Sequence, residues 1–438
     1  MAADPTEITD TEISGLLKRA YSDFRTDTFP QVCALLASLK KGKRGGPGRL
    51  RWTGEGVRGD AVLTRPLGMT ASQSGYFPSN HIRKERQFEL GIRRLYVTRE
   101  LDGLTIVGTK DPKGAYISIV KKALQEMKDA AKLGMQEVLH GNGQGIKGVI
   151  TTATSATSII ISSPFGLSGA GEGGLLVDEG LEVAAIDVDT ANAVLGRARI
   201  TAVVNSGDFA TLTLAGAGIT GMEVGDYLVS CSASDTAFEQ NPHGLLEILN
   251  RGAAYNSFLG IDAATDPRWN ATTMTAGTDT PSAARVTESD IIRLIKKVAA
   301  RSGFDAKEKP GDFLLLTTPG LEIRIAETFL GSRTITPQQM MDIPGGFKAV
   351  NIQNIPLISD HYCPAGTVYL LHLPTLLWVD AKDFGFISFE GAGPWRWIDG
   401  RDAYQTNWGA YLNVGARQRN SHGMITGYED TERFSHVM

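Results

Sequence analysis

The chain has 438 residues, 42% of them apolar and 21% charged, with a formal net charge of −4. That length accommodates two or three domains, and the composition excludes a collagen-like or low-complexity chain. No apolar run approaches the ~20 residues that span a bilayer. The acidic start, MAADPTEITDTE, lacks the apolar stretch of a secretory signal. The cysteines Cys33, Cys231 and Cys363 are far apart and odd in number, which argues against a disulfide framework and fits a reducing compartment.

Residues 11–39 read as a helical arm broken at Pro30. Ile13, Leu16, Leu17, Ala20, Tyr21 and Phe24 form one apolar stripe; Val32, Leu35, Leu36 and Leu39 form a second. A short amphipathic arm at a terminus must bury its stripe on its own chain or on a neighbour.

Residues 40–100 differ in character. They carry fourteen Lys or Arg against five Asp or Glu, a net +9 that leaves −13 for the rest of the chain. Two alternating runs, 61–67 and 87–95, predict a long basic hairpin. Two strands alone are marginal, so the hairpin is expected to lie on an acidic surface of an adjacent subunit, with a solvated basic loop as the alternative. Arg49, Arg51, Arg58 and Arg65 would supply charge there, and Val62, Leu63, Leu67 and Phe77 the burial.

Residues 115–140 form the strongest helix signal. Apolar residues from Tyr116 to Leu139 recur with a 3.6-residue period, Lys121, Lys122, Gln125, Lys128, Asp129, Lys132 and Gln136 fill the opposite face, and Gly141 follows as a stop. Such a helix is about 39 Å long and crosses a sheet. The GNGQGIKG stretch at 141–148 follows a helix and precedes a β-branched run, the reverse of a dinucleotide-binding glycine loop, and reads as a flexible exit turn.

Residues 150–232 are strongly β, with short β-branched runs at 158–162, 181–188, 198–204, 210–214 and 227–230 separated by glycine turns. They predict a small barrel or sandwich inserted at 148–235. Residues 244–259 predict a helix, 262–281 a polar loop carrying Trp269, and 287–301 a helix capped by Thr287 with Asp290 in its first turn. A strand at 312–317, a helix at 319–330, strands at 348–358, 367–371 and 376–379, and long strand-like runs at 403–428 complete an α+β chain.

Catalytic chemistry has no anchor. Gly166-Leu167-Ser168-Gly169-Ala170 lacks the last glycine of a nucleophile elbow, and neither a P-loop nor an H-E-x-x-H helix is present. His361, Cys363 and His372 match no zinc spacing. Asp187 and Asp189 read as one solvated face of a strand. Trp378, Trp395, Trp397, Tyr404, Trp408 and Tyr411 read as packing rather than a ligand surface. The expectation is a protein without catalytic site, cofactor or metal.

The last third carries a resemblance. Phe313 to Pro319 (FLLLTTP), Ile355-Pro356-Leu357-Ile358-Ser359-Asp360 with Pro364-Ala365-Gly366-Thr367-Val368-Tyr369-Leu370-Leu371, Asp402-Ala403-Tyr404 and Arg419-Asn420-Ser421-His422 resemble strand motifs of tailed-bacteriophage major capsid proteins of the Hong Kong 97-type fold. The domain order is similar over most of the chain. The resemblance implies an N-terminal arm (1–39), an extended E-loop hairpin (40–112), a spine helix opening the peripheral domain (113–147), the inserted β domain (148–235), connecting helices (236–310), an axial domain (311–400) and returning peripheral strands (401–438).

The resemblance further implies a shell subunit that forms hexamers and pentamers. Its partners would be portal, scaffold and decoration proteins and, non-specifically, packaged double-stranded DNA, with no membrane involved. It would assemble in the bacterial cytoplasm and reside in the virion capsid. An encapsulin-like nanocompartment is the alternative within the same fold. A nucleic-acid-binding protein and a glycosidase are alternatives of other classes, disfavoured by the net charge and the missing motifs.

Overall fold

The computed structural model describes residues 48–51, 56–63, 84–103, 113–169, 171–231, 236, 238–249, 257–306, 308–332, 340–343, 347–387 and 395–430. The predicted arm therefore lies outside the described residues. In chain order, β1 (Gly48–Arg51), β2 (Val57–Val62), β3 (Glu85–Leu90) and β4 (Arg93–Asp102) precede the long helix α1 (Lys113–His140). Then come β5 (Ile146–Ser155), β6 (Ser158–Ser162), β7 (Glu182–Asp187), β8 (Ala193–Ser206), β9 (Phe209–Leu214) and β10 (Tyr227–Ser230). A short helix α2 (Leu245–Leu249) is followed by β11 (Ser257–Phe258), β12 (Ile261–Asp262), β13 (Thr272–Thr275), α3 (Glu288–Ser302), β14 (Phe313–Thr317) and α4 (Pro319–Ser332). The chain closes with β15 (Met340–Ile343), β16 (Phe347–Ile352), β17 (Ile355–Ser359), β18 (Val368–His372), β19 (Leu376–Phe386), β20 (Trp395–Trp397), β21 (Ala403–Ala416) and β22 (Gly423–Thr426).

Helix α1 buries its stripe as its periodicity demands. Leu124 and Met127 pack on Val97, Leu101, Phe386, Trp395 and Trp408, while Met135 and Leu139 enter the largest core. Gln136, assigned above to the polar face, is buried, and so is His140. The last turns of α1 are enclosed because α2 starts against them: a side chain at Gly244 would fall 2.2 Å from the Gly141 carbonyl and 2.6 Å from that of Val138.

The sheet under α1 has the order β1-β19-β21-β20, with β4 also paired along β21. The second sheet has seven strands in the order β13-β22-β18-β14-β17-β16-β15. It is mixed: β13 runs parallel to β22 and β14 parallel to β17, the other neighbours being antiparallel. Helix α3 lies on it, its Leu294 and Val298 so close to Gly423 that any side chain there would meet both at 2.8 Å.

This topology departs from the sequence-based boundaries. Strand β19, placed above with 311–400, pairs with β1 and β21 in the sheet under α1. Strands β13 and β22, placed outside 311–400, belong to the seven-stranded sheet. The 262–281 region contributes β12 and β13 rather than a polar loop, and Trp269 is buried. The helix expected over 244–259 ends at Leu249 among the described residues, and Ser257–Phe258 is already a strand.

Strands β5 to β10 form a closed barrel in the order β10-β5-β6-β9-β8-β7. Ile150, Ile159, Ile161, Val183, Ile200, Leu212 and Leu228 fill its interior, each no more than 1% exposed. Alternation of β-branched residues with polar ones supplies that interior and a solvated outer face. Asp189 lies beyond the end of β7, where its N–H donates to Asp187 Oδ1 at 2.8 Å, so the two acids make a turn rather than share a strand face.

Candidate assembly surfaces

Strands β2 and β3 are the predicted hairpin, in register from Val57↔Leu90 to Val62↔Glu85. Its inner face is docked on its own chain: Ala61, Leu63, Phe88 and Leu90 are in the main core. The Phe88 ring crosses over Gly59, where a side chain would come within 2.5 Å of it, and stacks on Trp269 at 6.4 Å between centroids. Asp266, with a side chain only 6% exposed, accepts from Lys84 and, at 3.4 Å, from Arg86. On the outer face Arg58 faces Glu89 at 3.5 Å, both about half exposed. Arg99 donates to Glu126 of α1 at 2.6 Å.

Part of the basic segment is thus neutralised within the chain. Leu63, expected to bury against another subunit, is buried in its own core. Arg49 and Arg51 are on β1, which runs parallel to β19 with Arg49 opposite Trp378 and Arg51 opposite Asp380. They are therefore on a sheet strand and not on the hairpin. Arg58 and Val62 are on β2. Arg65, Leu67 and Phe77 lie outside the described residues.

Behind the hairpin lies a polar hub whose members come from distant parts of the chain. Arg419 is fully buried. Its Nε donates to the Ile248 carbonyl at 2.6 Å and its guanidinium to Glu247 O at 3.0 Å, so it caps the C-terminal end of α2. Burial pulls its pKa down to about 10 despite Glu247, which leaves it charged at neutral pH. Its guanidinium carbon also lies 5.3 Å from the centroid of Phe258.

Next to it, the His372 N–H donates to His422 Nδ1 at 3.1 Å, which leaves the neutral ring's proton on Nε2, facing Thr375 Oγ1 at 3.2 Å. Thr375 Oγ1 is also 2.7 Å from Ser421 Oγ. Burial first, then His372 and Arg419, lower the His422 pKa to about 3. Residues 419–422, quoted above for their resemblance to capsid strands, therefore join the two sheets.

A second junction ties α1 to the seven-stranded sheet and to the barrel. His140 Nε2 is 3.3 Å from Asp360 Oδ2. Burial pushes the Asp360 carboxyl up, but His140 and the Tyr362 N–H outweigh it and hold it below its ordinary value. In the glycine-rich exit turn Asn142 is buried, donating to the Phe165 carbonyl at 3.0 Å and accepting from Gln144 N–H at 3.0 Å. The turn is held in place by its asparagine.

The aromatic tail divides. Trp378 is 1% exposed in the core, and Trp395 and Trp408 pack under α1. Trp397 is 56% exposed, edge-on to Tyr404 at 5.1 Å. Cys363 is buried beside Thr367, while His372 stacks on Phe304 at 4.4 Å and lies tilted against Phe313 at 4.7 Å. No cluster of three metal-binding side chains occurs among the described residues.

No protein-family model and no curated protein matches the sequence. The fold has counterparts among solved structures. The cyanophage A-1(L) capsid asymmetric unit contains a chain that aligns over 93% of this chain and 96% of its own, with a TM-score of 0.54 and 13% identity. The capsid of the native GTA particle covers 90% of both chains at a TM-score of 0.43 and 6% identity. The holo-SrpI encapsulin complex from Synechococcus elongatus covers 44% of this chain and 62% of its own at 0.29 and 11%. The assignment rests on the first alone: with its spine helix, two sheets and docked hairpin, the chain has the tailed-phage capsid fold that its strand motifs resemble.

Proposed function

We propose that this chain is the major capsid protein of a tailed double-stranded DNA bacteriophage, self-assembling as hexamers and pentamers into the icosahedral head shell. The observation that carries the reading is the match of fold to a cyanophage capsid subunit over 93% of the chain. The sheet under α1 corresponds to the peripheral domain and the seven-stranded sheet to the axial domain. Subunits related by rotation make heterologous contacts that close into rings, and many such contacts acting together need not be individually strong. Portal, scaffold and decoration proteins and the packaged DNA would be the partners, the host cytoplasm the place of assembly, and the virion the final location.

In this reading the far part of the hairpin, residues 64–83, reaches over a neighbouring subunit. Arg65, Leu67 and Phe77 belong to that part, and Arg58 is on the outward face of its docked base. The support is the exposed outer face at Arg58 together with the base that fixes the hairpin's direction. Electron microscopy of the full-length protein produced with its genomic neighbours tests the proposal. DNA-filled or empty closed heads are expected. Shells loaded with an enzyme and lacking DNA would point to an encapsulin-like compartment instead.

A further inference from the structure

The barrel is two-sided in charge. Residues 148–171 and 200–222 supply most of β5, all of β6 and β9, and the second half of β8. These 47 residues hold one charged side chain, Asp208, in the β8–β9 turn; at the chain average of 21% they would hold about ten. Residues 172–199, which supply β7 and the first half of β8, hold six acidic and two basic residues.

Directly paired residues of neighbouring strands point to the same face. Thr152 is opposite Ile160, Ile160 opposite Thr211, and Thr211 opposite Val204, so the four make one row across β5, β6, β9 and β8. Ala210 and Leu212, on either side of Thr211, are in the barrel interior, which puts the row on the outside. Phe209, two residues from Thr211, extends it. Val204 is 63% exposed and Phe209 48%. In the closed strand order β9 lies across the barrel from β10. The outer side of β7 and β10 is packed on the chain's own Phe238, through Ala184, Ile186 and Val229. The neutral row is on the other side.

Depletion of charge around exposed apolar side chains is the composition of a protein–protein contact. Its chemistry also selects the partner. A charged surface would find no counter-charge in the row, and nucleic acid would find no lysine or arginine. In a two-fold contact a patch meets its own image, so any charge near the axis opposes a like charge. A neutral row avoids that repulsion, and threonine hydroxyls both donate and accept, so they match their own copies. We propose that this row, centred on Ile160, Thr211, Val204 and Phe209, packs on the same row of a second copy of the chain across a two-fold axis. In the shell reading, on which its role rests, the contact ties one ring of subunits to the next.

The test uses the full chain with Cys33→Ser and Cys231→Ser, keeps the buried Cys363, adds Val204→Cys, and treats whatever assembly forms with a short bis-maleimide. The control carries Val188→Cys instead, 39% exposed between Asp187 and Asp189. Linked pairs of chains should form with a yield roughly tenfold or more above the control, as effective concentration dictates. A yield no higher than the control overturns the proposal. Linked pairs without closed shells would keep the contact and overturn the shell reading; closed shells without linked pairs would do the reverse. A second measurement needs no cysteine. Val204→Lys with Phe209→Lys, and Val204→Glu with Phe209→Glu, should each leave the melting temperature unchanged and reduce association, by light scattering, roughly tenfold or more. Mixing the two variants as subunits should recover it, because each copy then meets the opposite charge. Undiminished association of either variant alone, or no recovery on mixing, would overturn the proposal; the second result would assign the row to a different protein.

Discussion

Arg419 is a buried charge whose guanidinium is matched to the last carbonyls of α2. Removing it leaves the Glu247 and Ile248 carbonyls short of a donor inside the protein, and unsatisfied buried groups cost more than the bonds are worth in isolation. Arg419→Met is expected to cost about 2–4 kcal/mol, read as a drop in urea midpoint with an unchanged slope. A loss below about 1 kcal/mol would mean that water replaces the guanidinium.

His422 makes a separate prediction about pH. Its folded pKa is near 3, whereas an unfolded histidine titrates near 6.5. Below pH 6.5 the unfolded state takes up a proton that the folded state refuses, so stability is lost as pH falls from about 6.5 toward 3, by about 1.4 kcal/mol per pH unit for this one side chain. Urea unfolding of His422→Gln between pH 6 and pH 4 should show a slope shallower by that amount. An unchanged slope would place the acid sensitivity elsewhere.

At the scale of elements, the barrel is the piece most separable from the rest. Its first and last strands are neighbours, Val149 opposite Tyr227 and Ile146 opposite Val229, so the chain enters and leaves it about 4.8 Å apart, one strand spacing. Replacing residues 148–235 by a short Gly-Ser linker should leave both sheets folded. Phe165, Leu175 and Leu176 cover Leu246 and Tyr362 of the remainder, so the deletion should cost about 2–5 kcal/mol from the surface uncovered. Circular dichroism and thermal unfolding of the soluble product measure this. Complete aggregation of the deletion would show the barrel to be part of the common core.

What was legible in the sequence follows the range of the interactions. Helix α1 and helix α3 are written locally, in a 3.6-residue stripe and in Thr287 with Asp290, whose Oδ2 accepts from Thr287 N–H at 3.2 Å. The barrel is legible in β-branched runs and glycine turns. The pairing of β1 with β19 was not legible, because parallel strands more than three hundred residues apart leave no turn signature between them. For the same reason Arg49 and Arg51 read as hairpin residues. The Arg419–His422 hub was visible only as part of a family motif, since its partners at 247–248 and 372–375 are set by the fold and not by spacing.

At the scale of the whole molecule, the charge of residues 40–100 is partly matched inside the chain, by Asp266 for Lys84 and Arg86 and by Glu126 for Arg99. On the hairpin's outer face Arg58 is half exposed beside Glu89, and in the proposed shell that face is expected to meet a neighbouring subunit. Single surface ion pairs contribute only about 0–1 kcal/mol, so a single reversal should be mild. Arg58→Glu with Arg65→Glu turns attraction into repulsion at every copy of the contact. Folded subunits that no longer close into shells are expected, with assembly partly recovered in high salt for single variants. Normal assembly of the double variant at low salt would leave the contact to apolar residues such as Leu67 and Phe77.

The central claim is that this fold is a shell subunit, and the size of the particle that the purified full-length chain forms tests it most directly. Light scattering combined with electron microscopy of the same sample should find rings of five and six subunits and closed shells. A protein that stays monomeric at high concentration, in low and high salt alike, would contradict the account.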